Sequence, residues 1–107
     1  MSSKYDDLMV SDAVHEREVE LADGSKRMLY FKEVPAVVYR RFLIAEQSDD
    51  DDVRATSLAR LIQASMCEPD GKPALTLDQA LRLKAGVSGK LVDAVLDVNG
   101  KAPGKNA

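Results

Sequence analysis

Residues 16–32 read Glu-Arg-Glu-Val-Glu-Leu-Ala-Asp-Gly-Ser-Lys-Arg-Met-Leu-Tyr-Phe-Lys, and this stretch decides the fold class. Polar and apolar residues alternate from Glu18 to Leu21. That is the period of a strand with one buried face. Asp23-Gly24 supplies the backbone conformations that a tight reversal needs. Met28, Leu29, Tyr30 and Phe31 then form a returning run rich in large apolar and aromatic side chains, the residues that strands favour. A β-hairpin is predicted at about 16–21 and 26–32. Because a strand buries alternate residues, either Met28 and Tyr30 or Leu29 and Phe31 face away from the core.

Downstream of the hairpin the pattern becomes helical. Pro35 suits a helix start, where its missing N–H has no helical partner. Val37, Val38, Phe42, Leu43, Ile44 and Ala45 follow at mixed i+3/i+4 spacing, and a helix is predicted over 35–47. Ser48 and the acidic run Asp49–Asp52 form a loop and a second helix start, where carboxylates meet unpaired N–H groups and the helix dipole. That helix is predicted over 51–67, with Leu58, Leu61, Ile62 and Met66 on one stripe and Ala55 and Ala59 beside it. Glu68-Pro69-Asp70-Gly71-Lys72-Pro73 is a turn. Thr76-Leu77-Asp78-Gln79 matches a capping box and opens a third helix over 76–85, which Gly86 is expected to stop. Ser88 is expected to cap a fourth over 88–98. The fold class is therefore α+β, mostly helical, with an N-terminal hairpin and about four helices.

The 107 residues fit one domain. Residues 1–14 read as a flexible arm with a short turn near Leu8–Val10, 15–100 as a single globular domain, and 101–107 as a disordered polar tail. With no Trp and 5% aromatics, the core must be mostly aliphatic.

Charge and composition exclude several functions. The net charge is −3. An acidic chain is a poor match to the phosphate backbone or to an anionic bilayer, so neither nucleic acid nor membrane is an expected partner. Arg40-Arg41 is too small a basic cluster to reverse that. No run of about 18 apolar residues is present to span a bilayer. The single Cys67 has no internal disulfide partner, which fits a reducing compartment.

The search for catalytic or metal-binding residues is negative. His15 stands alone near a strand start and reads as a surface residue. A dyad with Cys67 has no support in the sequence, because Cys67 sits at a predicted helix end where a small apolar side chain packs well. Asp49–Asp52 lacks the spaced oxygens, central Gly and distal Glu of a calcium loop. Asp70-Gly71 is a turn. Gly86-Val87-Ser88-Gly89-Lys90 lacks the spacing of a phosphate loop. No cofactor and no metal are expected. What remains is binding: the hairpin and first helix carry more apolar side chains than one small core can hide.

Three segments carry a family resemblance. They are Leu58–Cys67 (LARLIQASMC) with the Glu68–Pro73 turn, Thr76–Lys84 (TLDQALRLK), and Leu91–Gly100 (LVDAVLDVNG). Together with the preceding hairpin and helix, they resemble the tail assembly chaperones of long-tailed bacteriophages and prophages, over roughly residues 15–100. In that family a helix ending in a small or Cys residue leads into an acidic D-G-K turn, then a Thr- or Ser-capped helix, then a closing helix ending near Asn-Gly. The resemblance implies a non-enzymatic protein of the host cell cytoplasm. Such a protein binds the long, helical, aggregation-prone tape measure protein before tail tube protein polymerises around it, and is absent from the virion. It also allows a homo-oligomer. The expected partner-binding residues, taken from the apolar excess, are Tyr30, Phe31, Tyr39 and Phe42. The rival reading is a structural virion component, such as a tail completion or head–tail joining protein.

Overall fold

The computed structural model describes residues 4–100. The expected tail at 101–107 and the first three residues of the expected arm lie outside them. Among the described residues, the chain is a three-stranded antiparallel sheet with four α-helices, an α+β fold. Strand β1 (Val14–Glu20) pairs with β2 (Lys26–Lys32), with Val14 opposite Lys32 and Glu20 opposite Lys26. The connecting turn closes through Leu21 N–H to the Ser25 carbonyl at 2.7 Å, and Gly24 takes a φ of 87°. Only a residue without a Cβ adopts that conformation at little cost. Asp23 tightens the turn by accepting from the Ser25 hydroxyl at 2.6 Å and from its N–H at 3.0 Å. These bonds hold the Asp23 carboxyl below its ordinary pKa.

The hairpin's register settles which alternate set is buried. Phe31 is fully buried, Leu29 packs against the core, and Val19 lies on their face. Met28 is exposed and Tyr30 half-buried on the opposite face. Phe31 was expected at a binding surface. Its position opposite His15 on the core side of β2 removes it from any surface.

A second correction concerns the end of the second helix. Helix α1 (Ala36–Glu46) is followed by α2 (Asp51–Ser65), which stops two residues short of the predicted 67. Met66–Cys67 is instead strand β3, paired with β2 through Phe31–Met66 and Tyr30–Cys67. The free edge of β2 offers backbone partners that outweigh one more helical turn. Ser65, fully buried, fixes the junction by donating its hydroxyl to the Lys32 carbonyl at 2.7 Å. The 68–73 turn then folds back, with Gly71 at a φ of 90°, and reaches β1: a Cβ at Gly71 would stand 3.8 Å from Val14 Cγ2.

Caps place the helices. Asp50 accepts from Asp52 N–H at 2.9 Å and Val53 N–H at 3.3 Å, so the acidic run is a helix start as expected. Thr76 and Gln79 form the reciprocal capping box of α3 (Leu77–Leu81), a helix shorter than predicted. The break falls at 82–84, where Leu83 turns onto the core. Helix α4 (Ala85–Val98) begins three residues earlier than predicted, with Lys84 rather than Ser88 at its N-cap position. Gly86 lies inside its first turn and stops nothing, because its φ is not positive.

One buried cluster joins these elements. Phe31 and Val19 from the sheet meet Leu61 and Ile62 of α2 and Leu91 and Val95 of α4. Ala55, expected beside that stripe, is exposed. Asn99 locks the post-hairpin chain to the end of α4, accepting from Val34 N–H at 2.8 Å and donating to the Val95 carbonyl at 2.8 Å. Arg17 of β1 and Asp97 of α4 add an ion pair at 2.7 Å. Near the N-terminus, a short 3₁₀ turn spans Asp6–Leu8, two residues before the expected position.

Candidate functional site

Helix α1 is the element that the core does not absorb. It has no buried residue over its 11 positions, and its main packing partner is α2. Tyr39 and Phe42 lean on the core cluster from its inner side, with ring centroids 6.0 Å apart. On the other side Val37 and Ile44 are exposed, Ile44 to 61%, and Leu43, one turn beyond Tyr39, is exposed at the margin. The helix spacing explains the split: Val37 and Ile44 are seven residues apart, two turns along one stripe, and the tyrosine and phenylalanine stand on another.

The four expected interface residues are therefore not one surface. Phe31 is core. Tyr30 lies on the sheet face turned away from the core, where the Cys67 strand pairs with it. Tyr39 and Phe42 are half-buried under α1. The exposed apolar residues of α1 are Val37, Leu43 and Ile44, outside the expected set. Their signal was present in the sequence as an apolar surface too wide for one packing face.

A groove of about 260 Å³ runs between α1 and α2. Phe42 and Ala45 line it from α1, Leu61 and Ala64 from α2, and Leu77 from the start of α3. Ser57 of α2 sits buried at its side and donates to the Glu46 carboxylate and, at 2.9 Å, to the Arg54 carbonyl. Arg54 in turn holds Asp51 and the Ser48 carbonyl, bracing the loop between the two helices.

The chemistry-bearing residues do not converge. His15 stands opposite Phe31, and Cys67 opposite Tyr30. Neighbouring residues of β2 point to opposite faces, so the imidazole and the thiol lie on opposite sides of the sheet. His15 is half-buried rather than a surface residue, with Nε2 enclosed and unpaired among the described residues. Burial raises the Cys67 thiol above its ordinary pKa, which keeps it protonated and a poor nucleophile at neutral pH. Among the described residues no three His, Cys, Asp or Glu side chains are grouped to hold a metal ion. No helix among them is long and apolar enough to cross a membrane.

Comparison of the chain with protein-family models, with curated proteins and with solved structures finds no match in any of the three.

Proposed function

We propose that this chain is a non-enzymatic tail assembly chaperone of a long-tailed phage or prophage. It binds the tape measure protein in the host cell cytoplasm, shields it until tail tube protein assembles around it, and leaves before the virion is complete. The observation that supports this best is α1, a helix with exposed apolar residues beyond those it packs on the core and a groove at its flank. Shielding a partner's hydrophobic residues needs such a surface and no bond-breaking chemistry. The segments around Leu58–Cys67, Thr76–Lys84 and Leu91–Gly100 add the family resemblance. The interface moves accordingly from the four residues first expected to Val37, Leu43, Ile44 and the half-buried Phe42.

Co-expression with the tape measure protein of the same phage tests this. Co-purification that brings the partner into the soluble fraction is the expected result. An insoluble partner, with this chain eluting alone, would overturn the reading. Mass spectrometry of purified particles separates the rival: a structural virion component stays in the particle, and a chaperone does not.

A further inference from the structure

The groove between α1 and α2 has a cationic rim as well as an apolar floor. Arg41 of α1 and Arg60 of α2 flank it, and no carboxylate lines it. Both arginines are exposed, and neither side chain makes a hydrogen bond or ion pair among the described residues. Arg17 and Arg54 differ, since each already holds an aspartate. The Glu46 carboxylate, held by the Ser57 hydroxyl at the groove's side, offsets one of the two positive charges of Arg41 and Arg60. The groove thus reverses the sign of a chain whose net charge is −3.

We propose that this groove docks an amphipathic helix of a partner protein, with its apolar stripe on the Phe42, Leu61 and Leu77 floor and its flanking Asp and Glu side chains on Arg41 and Arg60. The proposal rests on reading the chain as a binding protein and names the chemistry of its partner. Two features select that occupant. The cavity is smaller than the roughly 300–1,000 Å³ of small-molecule pockets, and suits a few side chains of a macromolecule. An 11-residue α1 spans about 16 Å, room for about three turns of a partner helix anchored at i, i+3/i+4 and i+7. A second copy docked α1 to α1 about a two-fold axis would bring both sets of arginines to one seam, where like charges repel.

Two synthetic helical peptides of about 18 residues test this, long enough to form helix. They share one leucine stripe; Glu flanks it in one and Lys in the other. Fluorescence anisotropy against the full chain reads affinity at low and high salt. The Glu peptide is expected to bind roughly tenfold or more tightly than the Lys peptide, and to weaken as salt rises. The double variant Arg41→Glu/Arg60→Glu should reverse that preference with an unchanged circular dichroism spectrum, because both side chains are exposed. Equal binding of the two peptides, binding of neither, or a preference untouched by the double variant would overturn the proposal. So would a dimer in sedimentation equilibrium that the double variant dissociates. The tape measure protein separates this from the chaperone reading. Capture that is as strong with the double variant as with the unaltered chain sinks the groove and leaves the chaperone. Selective binding of the Glu peptide without capture of the tape measure protein sinks the chaperone and leaves the groove.

Discussion

Helices α1 and α4 are both rich in aliphatic residues, and the fold uses them in opposite ways. In α4, Leu91, Val92, Ala94, Val95 and Val98 are all buried against the sheet and α2. In α1 nothing is buried, and Val37, Leu43 and Ile44 meet solvent. The difference lies in how many elements each helix touches. Helix α4 sits between β1, β2 and α2, whereas α1 packs chiefly on α2. Aliphatic content therefore does not by itself make a core helix. A helix at the margin of a small domain keeps one apolar side uncovered, since a chain of this length has too little mass to enclose it.

The contrast can be broken most forcefully at Phe31, which the core claims and a surface role would not. Phe31→Ala should cost about 3–5 kcal/mol, the range for emptying a fully buried aromatic site. Urea unfolding would check this, and a loss below about 1 kcal/mol would mean that the ring is not in the core. A smaller effect of opposite sign sharpens the account of α4. A Cβ at Gly89 meets nothing within 4 Å, and its backbone is helical. Gly89→Ala should stabilise the protein by about 1 kcal/mol, through helix propensity and a less flexible unfolded chain. A decrease in the melting temperature would show that α4 does not run through this position. The smallest effect belongs to α1. Ile44→Ser should change stability by less than about 0.5 kcal/mol, since the side chain is 61% exposed and the two residues have similar helix propensity. The same variant should weaken partner capture in the co-expression assay. Intact capture would place the interface elsewhere.

Much of the architecture is legible along the chain because its signals are local. The Asp23-Gly24 turn, the Asp50 cap and the Thr76–Gln79 capping box each depend on residues within a few positions of one another. The residues that misled did so through long-range contacts. Met66 has the spacing of the α2 stripe, yet it extends because the β2 edge lies beside it. Gly86 looks like a helix break, yet α4 passes through it because its downstream side chains are anchored in the core. His15 looks like a surface residue, yet its strand turns it to the face that Phe31 buries.

The sequence by itself determined the α+β class, the hairpin and its turn, and the presence of apolar residues beyond the needs of one core. Those follow from periodicity, turn chemistry and capping, which act over a few residues. Only the tertiary structure decided that Leu29 and Phe31 face inward, that Met66–Cys67 joins the sheet, and that Val37, Leu43 and Ile44 are the apolar residues of α1 left uncovered. Each is a choice between locally equivalent arrangements. A strand can bury either alternate set, and a helix can pack either stripe, so the decision falls to whichever neighbouring elements stand close enough to exclude water from one side.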